Sequence, residues 1–336
     1  MLFRSSMNAQ VEERKAAGIA AAQAVFLGEG RTGMAETRLR APAPDEVLVR
    51  LRGCGVCASN LPVWEGREWF RYPLEAGAPG HEGWGEIVAI GDNVGDFAVG
   101  DKVAVLSQHA YATHDFAPAS MVARIPDCVG DRPFPGEPLA CVMNILRRSD
   151  IRAGQWLAVV GVGFIGALLV QGAARAGARV IALTRRAWAR DMALRCGASY
   201  ALDGDSSASV GAVLELTDGR ACERVIEAGG EQATLDLASA LCAEGGRMMV
   251  AGYHQDGSRQ VDMQQWNWRG LDVINAHERD PAVQARGLRE AVRAVADGTL
   301  DPFPLITHEV PLRELGRAFT LMRERPAGFM KAVVTP

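Results

Sequence analysis

The run Trp156–Val170, WLAVVGVGFIGALLV, constrains the fold of this chain more than any other stretch. It is apolar enough to imitate a membrane span, yet it falls short of the roughly 20 residues a helix needs to cross a bilayer. Three glycines also interrupt it. A buried strand, a tight turn and a helix account for it better. Gly161, Gly163 and Gly166, with Phe164 and Ile165 before the last, spell GxGxxG at that turn. The first glycine permits the turn, the second lets backbone approach a pyrophosphate, and the third lets helix and strand pack closely. Free N–H groups at the helix start would face the anion. The motif alone is weak, but its place between a strand and a helix points to a dinucleotide site.

Further alternation follows. Apolar runs near 157–161, 179–184, 223–227, 246–251 and 271–275 read as strands, and patterns near 164–176, 186–196, 231–243 and 282–297 as helices. They predict βαβ units and a doubly wound parallel sheet, a Rossmann dinucleotide-binding domain, over residues 151–300. Residues 23–150 differ. Short β-type runs at Glu46–Leu51, Gly85–Ile90 and Lys102–Leu106 are punctuated by Gly-Asp and Pro-Gly pairs, which predicts an antiparallel, partly barrel-like domain. β-like character returns over 301–336, and residues 1–22 read as an appended, partly helical extension. The expected class is α/β, a β-rich domain joined to a parallel-sheet domain.

The end of the second strand selects the dinucleotide. A site for NAD usually has Asp or Glu about 20 residues beyond the glycines, bonding the ribose 2′-hydroxyl. Thr184 holds that place, and Arg185 and Arg186 follow. Guanidinium groups match a phosphate bidentately, whereas as plain helix-start residues they would oppose the helix dipole. NADP(H) is therefore expected over NAD(H).

Composition removes other classes. The 36 basic and 40 acidic residues give a net charge of −4 without long runs, so no nucleic-acid partner is expected. Seven cysteines (54, 57, 128, 141, 196, 222, 242) are too few, and odd in number, for a secreted disulfide framework. Glu12, Glu13, Arg14 and Lys15 stand where an export signal needs an apolar core. A cytoplasmic protein without a membrane partner is expected, its thiols serving as core filler, metal ligands or nucleophiles.

Three segments carry the chemistry: Cys54-Gly-Val-Cys57-Ala-Ser59-Asn60, Pro79-Gly80-His81-Glu82-Gly83-Trp84-Gly85 and Glu137-Pro138-Leu139-Ala140-Cys141. Catalytic zinc takes three thiolate, imidazole or carboxylate ligands and keeps one position open. Cys57, His81 and Cys141 would supply such a set. In their order and spacing, together with the glycine motif, these segments resemble the zinc-dependent medium-chain alcohol/polyol dehydrogenase superfamily from about Ala24 onward. The resemblance implies a GroES-like catalytic domain built from both ends of the chain, wrapped around the Rossmann domain. It implies hydride transfer between a nicotinamide cofactor and an alcohol or carbonyl substrate. By the same resemblance Cys57, His81 and Cys141 hold one catalytic Zn2+ per chain, Glu82 is an alternate ligand or supporting partner, and Ser59 relays the alcohol proton. Glu137 rivals Cys141 in polyol-type relatives, and Cys54 is a structural neighbour. The resemblance also implies that Asn275 borders the nicotinamide and that the assembly is a homodimer or homotetramer.

The sequence also departs from that pattern. Asn60 stands where the family has an Asp that steadies the imidazole ligand. Pro62 replaces a proton-passing histidine, so Ser59 would deliver its proton to water or the cofactor ribose. Leu106–His114 lacks the cysteines of a second, structural zinc lobe. Trp64, Glu65, Arg67, Trp69 and Phe70 are expected near the pocket mouth, and His277 either reaches a substrate hydroxyl or caps a loop. Cys128, Cys196, Cys222 and Cys242 are expected as filler in loop or helix contexts, His109 and His114 in a loop after a strand, and His254 and His308 as ordinary surface or turn histidines. Glu137 with Asn60 and Asn144 leans toward a polyol, sugar or cyclitol derivative. Two other readings compete: a zinc-free quinone or enoyl reductase, which would lack the Cys57/His81/Cys141 set, and a catalytically weak NADPH-binding protein, kept open by Asn60 and Pro62.

Overall fold

The computed structural model describes residues 18–204 and 207–336. Most of the expected N-terminal extension, residues 1–17, lies outside the described residues. The chain divides into two compact units. One takes it as far as Pro138 and again over Ile306–Pro336, and the other is Leu139–Leu305.

In the first unit, β1 (Ala20–Gly28) and β2 (Arg31–Arg38) form an antiparallel hairpin. A seven-stranded sheet is built from β3 (Glu46–Gly55), β4 (Gly83–Ile90), β5 (Lys102–Val105), β6 (His114–Pro118), β7 (Val122–Arg124), β14 (Ile306–Pro311) and β15 (Lys331–Thr335). Its order is β14-β15-β3-β4-β5-β7, with β6 pairing β3. The period of two is plain in β3. Val47, Val49 and Leu51 enter the main core with Phe26, Ile87 and Val103, while Leu48 joins a smaller cluster with Ala21, Leu39 and Ala89. Helices α1 (Leu61–Trp64) and α9 (Leu315–Glu324) close the main core. In α9 the buried positions Leu315, Ala318, Phe319 and Met322 make one apolar stripe. Trp64 stacks on Phe319 with ring centroids 5.7 Å apart. Trp64 is thus core, only 7% exposed, and not a pocket-mouth residue, because α9 covers it.

The second unit holds β8 (Trp156–Val160), β9 (Arg179–Leu183), β10 (Tyr200–Leu202), β11 (Cys222–Glu227), β12 (Cys242–Val250) and β13 (Asp272–Asn275). All pair in parallel, in the order β10-β9-β8-β11-β12-β13. The order reverses between β8 and β11, as in a doubly wound sheet. The helices are α3 (Phe164–Arg175), α4 (Ala187–Arg195), α5 (Ser207–Leu216), α6 (Gln232–Leu241), α7 (Met263–Arg269) and α8 (Pro281–Ala296). The membrane-like run resolves into β8, buried throughout, the glycine turn and α3. No helix among the described residues is long and apolar enough to cross a membrane.

Sequence patterning passed over β10, α5, α7 and α2 (Gly136–Ser149). Cys222 and Cys242 open β11 and β12, facing each other in register and buried, where loop or helix contexts were expected. Their small apolar side chains suit the ends of strands covered on both faces. His114 likewise opens β6 instead of sitting in a loop.

Candidate active site

Backbone pairing assembles the metal-type residues. Cys57 follows β3 and precedes a short 3-10 turn, Ala58–Asn60. Because Cys54 pairs with Gly83 at the start of β4, His81 and Glu82 arrive beside it. Ligand atoms of Cys57, His81 and Glu82 lie within 4.8 Å of one another. His81 Nδ1 is 2.8 Å from Pro79 O. A carbonyl only accepts, so Nδ1 carries the proton and Nε2 is left to serve as a ligand. Burial pulls the His81 pKa down, but the bond to Cys57 and the negative charge of Cys57, Glu137 and Glu82 outweigh it and raise the value to about 10.

Glu82 is fully buried. Lys331, from β15, donates to its Oε1 at 2.6 Å, stands 2.5 Å from Oε2, and donates to Val56 O at 3.0 Å. Burial opposes the lysine charge, but Glu82 and Cys57 more than offset this and hold its pKa above the ordinary value. Glu82 Oε2 still accepts no aligned hydrogen bond. Thiol, imidazole and a buried carboxylate oxygen without an aligned donor are a donor set that suits zinc.

Neighbouring groups fix these three. Ser59 Oγ donates to Cys57 Sγ at 3.2 Å and lies 3.3 Å from Asn60 Oδ1. Asn60 Nδ2 donates to Pro79 O at 3.1 Å and to the buried Tyr111 hydroxyl at 3.0 Å. Pro79 O therefore orients the imidazole, and Asn60 steadies that carbonyl. Cys54 is fully enclosed, and burial pushes its thiol well up, so it stays protonated. Glu137 lies in the first turn of α2. Cys141 is one turn further along the same helix face and belongs to the second unit.

In the second unit, Gly161 adopts φ +100°, and a Cβ there would meet Gly229 N at 2.8 Å. A Cβ on Gly166 would sit 2.1 Å from Gly161 O, whereas one on Gly163 would meet nothing within 4 Å. Phe164 and Ile165 open α3. Thr184 is buried just past β9. Arg185 lies 3.3 Å from Glu231, and Arg186 donates to Val162 O at 3.0 Å. Arg190, which the sequence reading missed, donates to the carbonyls of Thr184 and Arg185 at 3.0 and 3.1 Å. Its signal was the i+4 spacing from Arg186. Asn275 Oδ1 accepts from His277 N at 2.9 Å, so Asn275 caps the turn after β13.

Lys331 was missed as well, though it is one of three lysines, with Lys15 and Lys102, among 36 basic residues, and opens an apolar run. Nothing in the sequence flags Tyr111.

Residues 43–127 match the alcohol dehydrogenase GroES-like domain family, and residues 165–294 the zinc-binding dehydrogenase family. An NADP-dependent isopropanol dehydrogenase of Entamoeba histolytica is 27% identical, over 92% of this chain and 94% of its own. A sorbitol dehydrogenase of Halalkalibacterium halodurans is 25% identical, over 92% and 97%. A zinc-binding-dehydrogenase relative from Sinorhizobium meliloti 1021, solved bound to NADP, superposes with TM-score 0.81 at 25% identity, covering 95% of this chain and 100% of that one. An Escherichia coli oxidoreductase of unknown specificity shares the fold, with TM-score 0.84 at 21% identity over 94% and 99%. With β-rich GroES-like and Rossmann units and these matches together, the chain belongs to the medium-chain dehydrogenase superfamily and is an oxidoreductase of the alcohol dehydrogenase type.

Proposed function

We propose that this enzyme is a one-zinc, NADP(H)-preferring dehydrogenase or reductase of a polyol, sugar or cyclitol derivative. The Cys57–His81–Glu82 cluster carries the zinc reading. It disfavours a zinc-free quinone or enoyl reductase, which has no use for such a set. Cys57, His81 and Cys141 would hold the ion, with Glu82 and Glu137 as alternates. Bound there, zinc supplies a Lewis acid for the substrate oxygen, and the nicotinamide supplies or accepts hydride.

The protein's own groups do the rest. Pro79 O fixes the His81 tautomer, and Lys331 balances the Glu82 charge. The Ser59 hydroxyl, beside Cys57, takes the alcohol proton. Asn60 is its other neighbour and an amide does not pass protons on, so the proton leaves to water or the cofactor ribose. Arg185 and Arg186, with Thr184 in place of a carboxylate, support the 2′-phosphate. A homodimer is supported by β13, which lies at the sheet edge, and by Trp268 on adjacent α7, 86% exposed. The seven free cysteines suit a reducing cytoplasm.

A panel of polyols, cyclitols and ketones assayed with NADPH and NADH, with zinc quantified in the purified enzyme, tests this reading. Turnover favouring NADPH with one zinc per chain is expected. Metal-free protein with full turnover, or a preference for NADH, would overturn it.

A further inference from the structure

The end of β11 carries a buried network that the sequence reading left unassigned. Glu227 is fully buried. Its Oε1 accepts from Gly229 N at 2.8 Å, Gly230 N at 2.7 Å and Thr234 Oγ1 at 2.6 Å. Its Oε2 lies 3.0 Å from His254 Nε2, and Arg259 Nε donates to His254 Nδ1 at 3.0 Å. Arg259 Nη2 also donates to Gly230 O at 3.1 Å. A guanidinium only donates, so His254 Nδ1 carries the lone pair and Nε2 the proton given to Glu227. Every bond from Arg259 to Gly229 then has a fixed direction. His254 is accordingly no ordinary surface histidine; its side chain is 14% exposed.

The location gives the network its meaning. Glu227 ends β11, and His254 and Arg259 follow β12, at the carboxyl ends of parallel strands whose order reverses between β8 and β11. Ligands of open α/β sheets bind in the crevice at that reversal. Gly229 N is also the atom a Cβ on Gly161 would strike at 2.8 Å. The Glu227 carboxylate therefore sets the backbone opposite the first glycine of the phosphate turn.

We propose that Glu227, His254 and Arg259 are positioning residues for the dinucleotide. They hold the segments 228–230 and 252–259 together as one wall of the nucleotide crevice. They act on the part common to NAD(H) and NADP(H), not on the 2′-phosphate. This rests on the dinucleotide reading above.

Titration of the full chain with NADPH and with NADH, followed by nucleotide fluorescence, tests it in wild type, His254→Leu and His254→Gln. Leucine removes both bonds, while glutamine keeps an N–H for Glu227 and an oxygen for Arg259. His254→Leu is expected to weaken both nucleotides by the same factor, about fivefold or more, and His254→Gln to stay within about twofold. Should His254→Leu not fold, Arg259→Met takes its place with the same expectation. Leucine binding within about twofold of wild type, glutamine as weak as leucine, or a loss confined to NADPH would overturn the proposal. Wild-type protein that binds neither nucleotide would instead overturn the dinucleotide reading itself.

Discussion

Lys331 and Glu82 stand 249 residues apart in sequence and meet without solvent. Burying two charges gains little net stability, but removing one partner leaves the other uncompensated. Lys331→Met should therefore destabilise the metal-free protein by about 3–5 kcal/mol in urea unfolding, and adding Glu82→Gln should recover most of that loss. The pH dependence follows from the raised Lys331 pKa. A raised lysine value means the contribution is fully present below the unfolded pKa and fades only as pH rises through the folded one, so it holds across neutral pH. An unchanged urea midpoint in Lys331→Met would show that the pair stabilises nothing. At this scale His81 and Glu82 stand out because glycines flank the pair and leave it little packing purpose, whereas Cys57 is picked out only through the resemblance of its segment to the family. Lys331 and His254 were not legible, because their partners are set by strand pairing and loop return, which no local pattern records.

The glycine turn separates two kinds of demand within one element. Gly166 is needed by the fold, since a Cβ would overlap Gly161 O. Gly163 is free of neighbours and in extended backbone, φ −95° and ψ −162°, that any residue adopts. Gly166→Ala should cost about 1–3 kcal/mol of stability through overpacking. Gly163→Ala should stay within about 1 kcal/mol of wild type and yet weaken NADPH binding about tenfold, or 1.4 kcal/mol, because its methyl group would meet the incoming pyrophosphate. Thermal melts and nucleotide titration together check both, and equal stability losses in the two variants would contradict the distinction. Long, strongly patterned elements such as β8, α3 and α8 were readable from the sequence. Others hid for physical reasons. β10 has three residues, and α7 depends on the Asp262 cap, which accepts from Gln265 N at 2.9 Å, and on left-handed Gly270.

For the whole molecule, the unit containing Cys57 and His81 is discontinuous. β15 pairs with β3 at Cys54 and Gly55 and brings Lys331 to Glu82, whereas Leu139–Leu305 contains its entire six-stranded sheet. A chain stopped after Leu305 should keep NADPH binding and lose zinc retention, as read by nucleotide fluorescence and metal quantification. Retained zinc would show that β14 and β15 are dispensable to the site.

The Lys331–Val56 bond spans 275 residues, and that separation also sets a timetable on the ribosome. Chains usually fold in the order they emerge, N-terminal domain first. Here the earliest strands must wait, their hydrogen-bonding edge beside β3 unfilled, while the parallel-sheet unit is translated and free to fold. The nascent catalytic half is exposed to mispairing throughout that interval, and chaperone dependence should fall on it more than on the half made in between.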